Sequence, residues 1–204
     1  YNHGTGVFQF SGDMSKDELK WFQPGVGPVR LSGAYAGDIV ANGFDNFPMT
    51  GGRIEFANFS AQSGSWKAIH LNAPGDASLI MEVAFTNVSL DARVDGTAFS
   101  LNQVASGYGK TSMEVLDGCA ITNAIVLGNN WNSINDNQAA CGFYVRGGYL
   151  CVPFNAGVGN PTVGKYSQGY WEQSGGDVCF EYYTFVGRYA DAIGMFHQTG
   201  GNCI

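Results

Sequence analysis

Residues 6–14, GVFQFSGDM, carry an apolar side chain or glycine at every second position, starting almost at the first residue of the chain. Successive side chains of a strand point to opposite faces, so this alternation is the pattern of a half-buried strand. The signal recurs along the chain. Alternating or apolar runs fall at 29–35, 53–59, 66–71, 78–90, 97–104, 112–127, 142–154, 165–171 and 178–189. Turn dipeptides punctuate them: Pro24-Gly25, Gly27-Pro28, Asn42-Gly43, Gly51-Gly52, Pro74-Gly75, Asp95-Gly96, Asp117-Gly118, Asn160-Pro161 and Gly175-Gly176. Short strands at such spacing predict an all-β fold, a sandwich or barrel. Helical signal is confined to 15–22, where Ser15 and Glu18 make a capping box, and to a turn or two within 188–197. No internal repeat stands out, and the chain reads as one domain over 1–204.

Composition narrows the function classes. Of the 204 residues 45% are hydrophobic and 14% aromatic, enough to fill a core, while only 13% are charged. Low charge with thirty glycines suits an extracellular, turn-rich β-protein. A net charge of −7, with basic residues scattered singly, argues against nucleic acid as a partner. No apolar run approaches the roughly 20 residues of a spanning helix, so membrane insertion is not expected. The absence of a leader fits a processed chain starting at Tyr1.

Five cysteines, at 119, 141, 151, 179 and 203, all lie in the second half, and none has Cys-x2-Cys spacing. In an oxidising compartment four of them are expected to pair, Cys119 or Cys141 with Cys151 and Cys179 with Cys203 being the short-loop choices.

The opening frame, followed by Met14-Ser-Lys-Asp-Glu-Leu-Lys-Trp21, resembles the N-terminal segment of chaperone–usher fimbrial subunits, most nearly the K88 (F4)-like branch. The resemblance covers about the first tenth of the chain. It implies an immunoglobulin-like antiparallel β-sandwich with long loops and at most one or two short helices, in which Phe8, Phe10 and Met14 face inward. It also implies assembly by strand addition, with a periplasmic chaperone, an usher and neighbouring subunits as partners, and export to the bacterial surface in a fimbrium. The ending Gln198-Thr-Gly-Gly-Asn-Cys-Ile204 lacks the alternating last strand of structural subunits. On that ground the expectation is the receptor-binding N-terminal domain of a tip adhesin rather than a polymerising subunit.

Enzyme signatures are missing. No Gly-x-Ser-x-Gly elbow appears, and His3, His70 and His197 stand apart from one another, so neither catalysis nor a metal or other cofactor is expected. The sequons at Asn58 and Asn87 bear on function only in a eukaryotic secreted chain. The strongest functional signal is polar-aromatic. Trp131 stands among Asn130, Asn132, Asn135, Asp136 and Asn137, and Tyr170, Trp171, Glu172 and Gln173 form a second cluster. Rings stack on the C–H faces of sugars while short amides and carboxylates bond their hydroxyls. The expected ligand is therefore a host-cell glycan or glycoprotein receptor. A structural subunit without ligand and a secreted polysaccharide-active enzyme are the alternatives.

Overall fold

The computed structural model describes residues 8–11, 14–15, 29–33, 35–36, 39–41, 52–60, 69–71, 80–91, 99–101, 110–128, 140–154, 160–166, 168–190 and 192–204. Every element among them is a strand. The first half supplies β1 (Phe8–Ser11), β2 (Met14–Ser15), β3 (Val29–Gly33), β4 (Tyr35–Ala36), β5 (Ile39–Ala41), β6 (Gly52–Ser60), β7 (Ile69–Leu71), β8 (Ile80–Asp91) and β9 (Phe99–Leu101). Then come β10 (Lys110–Val115), β11 (Ala120–Thr122), β12 (Ile125–Leu127), β13 (Ala140–Val145), β14 (Tyr149–Val152) and β15 (Thr162–Val163). The last are β16 (Gln168–Gln173), β17 (Asp177–Phe180), β18 (Phe185–Val186), β19 (Gly194–Gln198) and β20 (Asn202–Cys203).

The expected antiparallel immunoglobulin-like sandwich is not what these strands build. Each described pairing is parallel, and each joins a strand to its counterpart one coil later. The chain winds as a β-solenoid. One column of the ladder runs Phe8, Val29, Ile54, Val83, Met113, Phe143, Trp171, Phe196, so a coil takes about 20–30 residues, as repeat architectures do. That column lies on the first face. A second face carries β11, β14, β17 and β20 beside the ends of β6 and β8, and a six-stranded third face stacks β5, β7, β9, β12, β15 and β18. The opening stretch is thus one rung, β1 on β3 in parallel register. The continuous strand expected over 112–127 is three strands wrapped around the three faces. Of the segment 188–197, where a helical turn is expected, residues 194–197 belong to strand β19, and residues 16–22 lie outside the described set.

Corners decide the wrapping. At the first corner Asn58 and Asn87 adopt left-handed backbone, φ 53° and 51°, which asparagine tolerates better than most residues. Their side chains continue the ladder, Asn87 Nδ2 donating to Asn58 Oδ1 at 2.7 Å. Later coils place glycine there instead, as at Gly176 (φ 67°), where a Cβ would stand 2.6 Å from the backbone of Gly147. Aligned on this corner, the last coils do repeat: GFYVRGGYLCV at 142–152, GYWEQSGGDVCF at 169–180 and GMFHQTGGNCI at 194–204.

Parallel in-register stacking lays like on like inside. Val83, Met113, Phe143 and Trp171 are buried in one column, and Ile121, Leu150 and Val178 in another. Phe143 and Trp171 stack at 4.8 Å and 12°, and Trp171 stacks on Phe196 at 5.7 Å and 7°. Phe180 tilts against both Trp171 and Phe196. Trp171→Ala removes the central ring of this stack, so a loss of about 3–5 kcal/mol is expected. Thermal denaturation should show a large fall in Tm for Trp171→Ala. A Tm within a degree or two of the parent would contradict this core.

Candidate functional site

Two outward surfaces concentrate chemistry. The first is the outer side of the first face, where positions between the core columns stack in register. Glu55, Ala84, Glu114, Tyr144, Glu172 and His197 form one outer column. Arg53 reaches Glu55 at 3.1 Å, Glu114 at 3.0 Å and Glu82 at 3.6 Å, while Arg146 bridges Glu114 at 3.1 Å and Glu172 at 3.2 Å. These ties link successive rungs. Each half-exposed pair contributes at most about 1 kcal/mol, so the network aligns coils more than it stabilises them. Tyr170 donates its hydroxyl to Glu172 at 2.8 Å, and His197 Nδ1 lies 3.3 Å from the same oxygen. The hydrogen bond to Glu172, followed by burial, holds the Tyr170 phenol above its usual range, so it stays a donor. Glu114 and Glu172 share Arg146 as a counter-ion, an arrangement that positions charge and leaves neither carboxylate as a lone acid or base.

The second surface is a line of rings where the chain passes from the second face around the third. Phe154 and Tyr182 meet at 5.5 Å, Tyr182 and Tyr183 at 4.4 Å, and Tyr183 and Phe185 at 5.4 Å. Arg188 lies 4.7 Å over Phe185 and 5.2 Å over Tyr189, and Tyr189 stacks on Tyr166 at 4.6 Å. Phe154, Tyr182, Tyr183 and Tyr189 are 42–58% exposed as a class with Tyr149, so these rings face solvent rather than core. Main-chain bonds hold the ridge from below: Glu181 N to Val152 O, Phe185 N to Pro161 O and Gly187 N to Val163 O.

The residues singled out in the sequence fall differently. Asn130, Trp131, Asn132, Asn135 and Asp136 lie outside the described residues. Trp171 and Gln173, 1% and 0% exposed, point into the solenoid and are core, not ligand-facing. Gln173 spends its amide inside, Nε2 donating to the carbonyls of Gly176 and Asn202, and so ties two corners together. Tyr170 and Glu172 of that cluster face outward, the tyrosine hydroxyl donating to the carboxylate. The ridge residues Tyr182, Tyr183, Phe185 and Tyr189 fall within the run 178–189, whose composition predicts a single strand. The signal that separates them is Glu181-Tyr-Tyr-Thr184 following the corner, which breaks the alternation.

The cysteine pairing also needs correction: all five are free thiols. Cys119 and Cys141 are buried on different faces, the first donating to Phe85 O and the second to Gln168 O. Burial pushes the Cys141 thiol up to about 12. Cys203 is in register with Val178, one position off the column in which Cys151 and Cys179 are neighbours, and Cys151 donates to Glu181. Among the described residues no group of three or more His, Cys, Asp or Glu side chains is placed to hold a metal ion.

Comparison with family models, with curated proteins and with solved structures returns no match for this chain.

Thiol titration of the denatured, unreduced protein should count five per chain, and in the folded protein exposed Cys203 should react first. A count near one would restore the paired arrangement.

Proposed function

We propose that this chain is a glycan-binding domain of an extracellular adhesin, and that it binds along the aromatic ridge. The observation that supports this reading is a line of rings, exposed Phe154, Tyr182 and Tyr183, half-buried Phe185 and, across Arg188, exposed Tyr189, on backbone fixed by rung-to-rung hydrogen bonds. Isolated exposed rings are ordinary, but contiguous ones on a soluble surface mark a contact site. Tyrosine offers a flat apolar face and a hydroxyl tip, the two things a sugar ring engages. A rigid repeat scaffold presenting side chains in a line suits an extended polymer better than a compact ligand. The carboxylates of the first face sit in ion pairs, which favours binding over hydrolysis. A host-surface glycan remains the partner in this reading. Strand addition through a chaperone–usher route belongs to a sandwich fold with an open groove, and the parallel coils replace that fold.

Individual sugar contacts bury little area, so monovalent affinity is expected in the micromolar to millimolar range, with avidity supplied by many copies. Affinity electrophoresis of the purified domain in gels containing soluble polysaccharides, followed by a glycan array, tests the reading. Retardation in at least one glycan, lost in Tyr182→Ala/Tyr183→Ala with Tm unchanged, is the expected result. Equal retardation of parent and double variant would remove the ridge from the site, and no retardation in any glycan would reject the function.

A further inference from the structure

A tetrapeptide pattern, Val-Gly-basic-Tyr, occurs twice on successive coils of the third face: Val163-Gly-Lys-Tyr166 and Val186-Gly-Arg-Tyr189. Val163 pairs with Val186 in parallel register, and the ladder continues past the strands, with Gly187 N donating to Val163 O at 2.9 Å and Arg188 N to Gly164 O at 3.0 Å. Gly164 and Gly187 share the same left-handed turn, φ 74° and 67°. Whatever follows is therefore copied one rung up. Tyr166 and Tyr189 end up face to face at 6°. Lys165 and Arg188 end up as neighbours on rungs about 4.8 Å apart.

Like charges directly opposite one another across strands repel. The Arg53 and Arg146 guanidiniums on the first face are each surrounded by glutamates. Among the described residues no carboxylate forms an ion pair with Lys165 or Arg188. Their neighbours are rings, Lys165 Nζ 5.3 Å over Tyr166 and Arg188 over Phe185 and Tyr189. Burial, then the charge of Arg188, pushes the Lys165 ammonium below its usual range. An anion placed between the two cations removes the repulsion and gains charge-assisted bonds, the guanidinium offering a planar fork to a carboxylate or sulfate and the ammonium a point charge.

We propose that Lys165 and Arg188 form an anion subsite at the Tyr166–Tyr189 end of the ridge, and that the glycan recognised there is an acidic polysaccharide. This deepens the glycan reading and rests on it. The shared chemistry is a ring-borne anionic group, a uronate carboxylate or a sulfate ester. A chain of net charge −7 repels polyanions in general, so attraction has to come from a local arrangement.

The test is affinity electrophoresis in three matrices: polygalacturonate for the carboxylate, dextran sulfate for the sulfate ester and dextran as the neutral polymer. At least one acidic matrix should hold the parent about tenfold more tightly than dextran at low salt, the preference shrinking as salt is raised. Lys165→Gln/Arg188→Gln should lose that preference, whereas Lys165→Arg/Arg188→Lys, which keeps both charges, should retain most of it. Arg146→Gln, removing a cation on another face, should leave retardation unchanged. Equal retention by acidic and neutral matrices, unaltered in the Gln variant, would overturn the anion subsite while the glycan reading stands. An equal loss in Arg146→Gln would also overturn it, by showing a general charge effect. Retention in none of the matrices, together with a blank glycan array, would defeat both.

Discussion

In-register parallel stacking is the constraint on which everything else depends. When each strand pairs with its own counterpart one coil on, the side chain at a given position meets the same position of the next rung about 4.8 Å away. Every column must then be compatible with itself. Inside, that produces Val83, Met113, Phe143 and Trp171 as a continuous apolar file, with rings lying flat on rings. At the corner it lets Asn58 hand a hydrogen bond to Asn87, after which glycine continues the left-handed turn. On the surface it forces charges to be distributed so that Arg53 and Arg146 alternate with glutamates. A side chain on this scaffold is judged against its vertical neighbours.

By that rule the third face is the exception. Apolar rings are stacked where they face solvent, and two cations are stacked without a counter-ion among the described residues. Neither arrangement helps the isolated fold. Exposed rings gain little from burial, and facing like charges cost energy. Surface features that a self-consistent column would avoid are the natural places to look for a partner, and a polymer carrying sugar faces and anionic groups satisfies both at once.

Much of the fold was legible residue by residue, and its topology was not. Among the described residues, the alternation at 6–14 marks strand β1, and Asp117-Gly118 and Gly175-Gly176 mark two corners, because pleat and left-handed turns leave the same marks in any β-fold. Whether a turn reverses the chain or bends it around a corner is not written in the turn itself: the turn dipeptide Asp117-Gly118 works as a corner between β10 and β11. The period that distinguishes a solenoid was hidden by coils of unequal length, Val126 matching Thr162 but Thr162 matching Phe185 over a shorter stretch. Asn–Gly exchange at the corner hid it further, since Asn58 and Asn87 look like sequons. Within 168–173 the alternation was visible but its phase was not: Gln173 occupies the apolar column of Val115 and Val145, where a glutamine is not expected, and it is held there by the carbonyls of Gly176 and Asn202. The ridge was missed because a run of tyrosine and phenylalanine has the composition of a core strand.

The parallel coil is also the claim most open to direct measurement. In a uniformly labelled sample, nuclear Overhauser contacts across strands report pairing directly, because antiparallel partners bring Hα atoms together across the narrow, non-hydrogen-bonded pairs, where Cα atoms lie only about 4.5 Å apart, whereas parallel partners do not. The solenoid predicts amide contacts linking Phe143 with Trp171 and Trp171 with Phe196, with ring contacts along the same file and no strong Hα–Hα contacts between these strands. Strong Hα–Hα contacts pairing the same strands in opposite directions would contradict it.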